Sequence, residues 1–289
     1  MYTVVNYDWV QEEKWTPNLV LFNHEESKIE NFPLKKGKEI SFKVLDRKFC
    51  IGYRDLDKWV FCGKEINSGL RCKECLKNDI LIPCLSCDGT ICRGFPKLRE
   101  ICETGIYYIY LTSFGDHLKV GVVRETRFPK RWIEQGADFG TRVIKIKNGR
   151  LARTIEKRIH KRLNFSGRSQ VIKNLNKNNE FNLILKKFNE AKEKIKKELN
   201  EFSNFFLKDE IHDLNEFYDL PKIKNFLELK IKPKLIFSGK IIGVKGFLLF
   251  FENENSVYMI NLKKLIGRKI QETKESFKGQ RSLIKYVKP

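Results

Sequence analysis

No stretch of the sequence holds enough consecutive apolar residues to span a bilayer. The first ten residues, Met1 to Val10, lack the basic start and apolar middle of a secretory signal. Neither a clear amphipathic anchor nor a basic tail marks the chain for a membrane surface. The chain therefore reads as soluble, intracellular and cytoplasmic, with no membrane partner. It has no helix-turn-helix or basic-zipper pattern, which removes the commonest helical readers of DNA. It has no internal repeat of fixed period. Acidic residues are in deficit, 36 against 57 Lys and Arg, leaving a net charge of +21 on 289 residues. Cysteine is absent everywhere except residues 50–102.

A hydrophobic content of 41% with 12% aromatics argues against wholesale disorder. The length suits two or three small domains. The positive charge is unevenly placed. Residues 103–168 carry 15 basic and 6 acidic side chains, net +9, and residues 222–289 carry 16 and 5, net +11. Residues 1–102 and 169–221 are close to neutral. A general lysine bias would spread more evenly, whereas an anion-binding surface concentrates charge. An anionic partner, nucleic acid, is the expectation. RNA is favoured over DNA because a compact basic chain lacks the helical DNA readers.

The pattern predicts an α+β protein in four parts. Residues 1–102 read as a β-rich segment with a cysteine-rich zinc module. Val4-Val5, Leu19 to Phe22, Ile40 to Val44 and Trp59 to Phe61 are its β-prone runs, with turns at Pro17-Asn18 and Lys36 to Lys38. Residues 103–168 read as a small α/β core. Its strands lie at 105–111, 118–123 and 142–147, and its helices at 129–135 and 150–163. Gly136 is placed to cap the first helix, and Leu151, Ile155, Ile159 and Leu163 form one apolar stripe on the second. Residues 169–221 form a connector with a long helix from about 180 to 208, its apolar positions including Leu183 and Phe188. Residues 222–289 read as a separate basic β module.

The cysteines are Cys50, Cys62, Cys72, Cys75, Cys84, Cys87, Cys92 and Cys102. Two Cys-x2-Cys pairs in an intracellular chain bind metal more often than they form disulfides. Four thiolates make one closed tetrahedral Zn²⁺ site, so eight make two structural sites. Sequential grouping puts Cys50, Cys62, Cys72 and Cys75 on one ion and Cys84, Cys87, Cys92 and Cys102 on the other. The rival grouping puts both Cys-x2-Cys pairs on one ion, and the sequential one is favoured.

Four landmarks follow in order: Gly105-Ile106-Tyr107, then Lys119-Val120-Gly121, then Arg131-Trp132, then Glu156 on a helix. Over about residues 103–165 they resemble the GIY-YIG nuclease superfamily. Within it they are most similar to a family of uncharacterised function with an upstream cysteine-rich module and an Arg-Trp-x-x-Gln-Gly-Ala motif, here Arg131 to Ala137. The resemblance implies that Tyr107, Arg131 and Glu156 occupy catalytic positions, with Glu156 holding Mg²⁺ or Mn²⁺. It also implies that Lys119 replaces a second tyrosine and Gln135 a histidine. Lysine can hold a phosphate but is a poor base near neutral pH unless desolvated. Lys119, Lys130, Arg131, Arg153 and Lys157 are the expected nucleic-acid contacts. Glu156 could equally be an ordinary helix ion pair with Arg153, Lys157 or His160.

The expectation is a zinc-stabilised protein that binds structured RNA, ribosomal or transfer RNA, through a degenerate phosphate site, with the ribosome as a further partner. The alternative is a metal-dependent endonuclease. Tyr107, Lys119, Arg131 and Glu156 are expected to face one cleft.

Overall fold

Period-two burial along Glu39–Lys48, with Ile40, Phe42 and Val44 buried and their neighbours less so, is what a strand with one covered face requires. Nine such strands build one sheet. The computed structural model describes residues 1–55, 58–167, 171–175, 181–223, 225–275 and 277. The expected helix start at Glu180 and residues 278–289 of the expected C-terminal module lie outside the described residues.

In chain order the first part contains β1 (Tyr2–Gln11), β2 (Trp15–Asn23), β3 (Lys28–Pro33), β4 (Glu39–Lys48), β5 (Tyr53–Asp55), β6 (Lys58–Val60) and α1 (Lys73–Asn78). The middle contains α2 (Ile82–Leu85), α3 (Pro96–Thr104), β7 (Ile106–Phe114), β8 (His117–Arg124), α4 (Lys130–Gln135), β9 (Phe139–Lys147), α5 (Gly149–Leu163), α6 (Val171–Asn174), α7 (Phe181–Glu198) and β10 (His212–Asp213). The last part contains β11 (Leu227–Glu228), β12 (Ile236–Lys245), β13 (Leu248–Asn253), β14 (Ser256–Asn261) and β15 (Arg268–Glu272). Two compact units result. One is Met1–Ile80 with Phe217–Pro289, and the other is Leu81–Glu216.

The first unit corrects the expected division. Its sheet runs β11-β14-β13-β12-β4-β15-β1-β2-β3. β12 pairs with β4, and β15 lies between β4 and β1. The basic C-terminal strands are thus interleaved with the N-terminal ones, not a module of their own. Pairing covers the edges of β4 and β1 that would otherwise offer free backbone groups. The expected turn at Pro17-Asn18 is also corrected, because both residues lie inside β2. Proline removes one donor, but the Pro17 carbonyl still accepts from the Leu34 amide at 2.8 Å.

The second unit is a sheet of order β10-β9-β7-β8 with α5 and α7 on one face. Tyr107, Ile109 and Leu111 of β7 pack with Ala152, Ile155 and Ile159 of α5 and with Ile184, Phe188, Ala191 and Ile195 of α7. Leu151, expected in the apolar stripe, is 37% exposed, as Leu183 is exposed beside buried Ile184. A row spaced by four drifts about 40° per step on a helix of 3.6 residues per turn, so its ends leave the buried face. On the other face of the sheet the α4 side chain Trp132 lies over the strands, fully buried. Gly140 permits this approach, since a Cβ there would come within 2.5 Å of the indole. Gly136 ends α4 at φ 74°, the left-handed cap its position foretold.

Candidate metal centre and candidate phosphate site

The Cys50, Cys62, Cys72 and Cys75 sulfurs all lie within 4.8 Å of one another. Tetrahedral Zn²⁺ with bonds near 2.3 Å would hold such sulfurs about 3.8 Å apart, so the donor set fits a dication of this kind. The sequential grouping therefore describes this set. Backbone amides converge on the sulfurs. Gly52 N–H reaches Cys50 Sγ at 3.4 Å and Cys72 N–H reaches it at 3.2 Å. The Cys75 amide donates to Cys72 and holds its thiol down to about 7. Burial, followed by the crowd of neighbouring thiols, pushes Cys75 up. Four crowded thiols cannot all ionise alone, and a central dication removes that conflict.

Cys84, Cys87, Cys92 and Cys102 line a single cavity of about 150 Å³ in the second unit. Their local geometry repeats that of the first set. Gly89 N–H reaches Cys87 Sγ at 3.4 Å, and the Gly94 amide lowers Cys92. Among the described residues only the first set has its sulfurs so close together. Helix α5 grips this cysteine loop. Arg153 donates to the Cys87 carbonyl at 3.1 Å, Arg150 to the Thr90 carbonyl at 3.2 Å, and Lys157 pairs with Asp88 at 2.5 Å. Arg153 and Lys157, expected to contact nucleic acid, are placed instead to hold protein to protein.

The four residues expected in one cleft are not brought together. In β7 and β8, Tyr107 pairs with Arg124, and Thr112 with Lys119. Directly opposed residues share a face, and successive residues alternate. Tyr107 therefore stands on the helix-covered face, whereas Lys119 stands on the face carrying Tyr108 and Tyr110. Tyr107 sits with Cys102 and a ring edge against Gly149, where a Cβ would come within 2.6 Å of it. Burial, then Cys102, pushes the Tyr107 phenol up to about 12.

Around Lys119 a different set assembles. Its side chain is 6% exposed, and its ammonium donates to the Tyr110 hydroxyl at 3.1 Å. No carboxylate among the described residues pairs with it. Gln135 of α4 donates to the same hydroxyl at 3.3 Å. The Gln135 Oε1, Trp132 Nε1 and Thr112 Oγ1 atoms are buried without hydrogen-bond partners. Gly121 makes the space: a Cβ there would lie 2.5 Å from the Tyr110 hydroxyl and 2.9 Å from Lys119 Nζ. Arg131 is one turn before Gln135 on the same helix face, 46% exposed, with Glu134 at 3.7 Å. Lys130, the residue before Arg131, has an interaction of its own.

Glu156 lies on α5, 3.7 Å from His160 Nε2, while His160 Nδ1 meets the Phe165 carbonyl at 2.8 Å. The chain leaving α5 runs beside β8, where Ser166 bridges to Lys119. The Glu156 contact raises His160, and the Lys119 charge acts against it. His160 thus links Glu156 to the edge of the Lys119 group. At the other end of that sheet face several charges are matched. Tyr108 donates to Glu125 at 2.6 Å, Lys145 pairs with Glu125 at 3.2 Å, and Arg142 pairs with Asp209 at 2.8 Å. Lys119, by contrast, is buried with no carboxylate partner among the described residues.

Residues 37–270 match the family described as "Protein of unknown function (DUF2797)". The chain belongs to the DUF2797 family. No curated protein and no solved structure matches it. The span matched to DUF2797 contains both cysteine sets together with Lys119, Arg131 and Glu156. Tyr110 was not expected as a site residue, and Gln135 was expected only to stand in place of a histidine. The signal for Tyr110 was its place opposite Gly121 in the hairpin, which only a fixed register reveals.

Proposed function

We propose that this protein is a zinc-stabilised nucleic-acid-binding protein, for structured RNA such as ribosomal or transfer RNA, with a degenerate GIY-YIG-type phosphate site. The observation that carries this reading is the buried, carboxylate-free Lys119 beside Tyr110 and Gln135. A buried cation without a counter-ion is costly, and a phosphate oxyanion would complete it. Arg131 at the rim can add a bidentate contact. The net +9 of residues 103–168 supplies the longer-range attraction. Two Zn²⁺ ions belong to this reading, one for each cysteine set. The repeated amide-to-sulfur contacts at Cys87 and Cys92 support the second. Four-thiolate zinc is a folding element and leaves no position for substrate.

The test is RNA binding over a range of salt. Affinity should fall steeply as salt rises, and Arg131→Ala should weaken it by about 1.5–3 kcal/mol. Salt-independent binding, or none, would remove the reading.

The endonuclease alternative keeps one favourable observation, the partly buried Glu156 beside His160. Against it stand Tyr107 on the far face and lysine at the second tyrosine position. Divalent-metal-dependent cleavage of RNA or DNA that vanishes in Glu156→Gln would establish it. We expect no cleavage above background, and binding by Glu156→Gln equal to or tighter than wild type.

A further inference from the structure

The first unit carries a basic recess that plays no part in the reading above. It forms where several strands end together. Lys48 closes β4, Glu228 closes β11 and Lys230 follows it, Lys263 and Lys264 turn out of β14, and Arg268 opens β15. Its volume is about 450 Å³, within the range of pockets that take a nucleotide-sized ligand. Five cationic side chains line it with one carboxylate, Glu228.

The crowding is built by the backbone. Lys48 and Arg268 are register partners across β4 and β15, so their side chains share a face. Like charges placed this way destabilise a sheet. The turn before β15 is tight: Gly267 sits at φ +81°, and a Cβ there would be 2.9 Å from the Phe49 carbonyl. The Asn261 side chain accepts from the Lys263 amide at 3.1 Å and fixes the turn bearing Lys263 and Lys264. Arg268 Nε is buried with no acceptor. None of Lys48, Lys230, Lys264 and Arg268 has an ion-pair partner among the described residues. Burial, then the charges of Arg268 and Lys264, lowers the Lys48 ammonium.

We propose that this recess binds a phosphate oxyanion, carried either by a free nucleotide or by a nucleic-acid backbone. Arginine supplies a planar fork and the lysines supply point charges, the combination that suits a multiply charged phosphate. Leu229 and Ile231 in the same lining offer apolar surface for a sugar or base. The inference stands apart from the Lys119 site, since every residue in it belongs to the other unit.

The experiment is calorimetric titration of the full chain with inorganic pyrophosphate, ATP without magnesium, and a short single-stranded RNA. Saturable pyrophosphate binding is expected, weakened about tenfold or more in the Lys230→Gln/Lys264→Gln double variant and in Arg268→Gln. The two lysines of the double variant are exposed, so it should melt as wild type does. The pyrophosphate binding that is lost in the double variant and in Arg268→Gln should persist in Lys119→Met, which separates failure here from failure at the other site. ATP bound more tightly than RNA would assign the free nucleotide, and the reverse would assign the backbone. The proposal is overturned if none of the three ligands saturates. It is equally overturned if the double variant binds like wild type, or if only Lys119→Met loses the pyrophosphate.

Discussion

Lys119 and Tyr107 stand on opposite faces of one four-stranded sheet, and Tyr110, not Tyr107, shares the lysine's face with its hydroxyl 3.1 Å from the ammonium. The pleat separates two residues that the motif order would put side by side. Tyr107→Phe should therefore leave RNA affinity unchanged, whereas Tyr110→Phe should weaken it. Filter binding of the two variants under one salt condition measures this, and the opposite ranking would return Tyr107 to the site.

Removing the Lys119 charge should separate function from stability. In Lys119→Met the buried, uncompensated cation disappears while the stem keeps much of its volume. We expect RNA affinity to fall about tenfold, with the second unit more stable by on the order of 1 kcal/mol. Loss of affinity together with loss of stability would point to a structural lysine.

The Arg142–Asp209 pair predicts an acid dependence. Burial pushes the Asp209 carboxyl up, but three hydrogen bonds from Arg142 outweigh it and the net shift is downward. A folded pKa below the unfolded one stabilises above the unfolded value and is lost as pH falls through the folded one. Asp209→Asn should cost about 2–3 kcal/mol at neutral pH. The gap to wild type should close below about pH 4. Hydrogen exchange of the β9 amides reads this unit directly.

Metal content should follow the two cysteine sets separately. Wild type should contain two Zn²⁺ by elemental analysis. Cys75→Ser should lose one ion and Cys87→Ser the other, each variant keeping the second. Joint loss of both ions from either variant would mean a shared centre. Chelation should unfold the local chain around each set, because binding supplies much of its folding free energy.

Local signals carried much of the fold. The expected strands at 105–111, 118–123 and 142–147 placed β7, β8 and β9, and Gly136 marked the end of α4. Chain order favoured grouping Cys50, Cys62, Cys72 and Cys75 over the rival that joins both Cys-x2-Cys pairs, and the sulfurs of this set lie together. What could not be read was non-local. Nothing in Arg268–Glu272 names β1 and β4 as its neighbours. The face taken by each tyrosine depended on the hairpin register, with Phe114 opposite His117, and strands placed only as 105–111 and 118–123 leave that parity open. Arg153 and Lys157 looked like free cations because their partners, the Cys87 carbonyl and Asp88, are distant in sequence.

The interleaving of β12 and β15 with β4 sets an order on biosynthesis. Residues 81–216 leave the ribosome as one uninterrupted stretch with every partner of their sheet nearby in sequence. β4 has no sheet neighbour until β12 and β15 have been made. At typical translation rates that wait is roughly ten to forty seconds. Throughout it β4 exposes two unpaired edges and β1 one, so the nascent N-terminal chain is the stretch most in need of a chaperone. A messenger truncated before residue 236 would yield a folded middle flanked by an unsatisfied sheet.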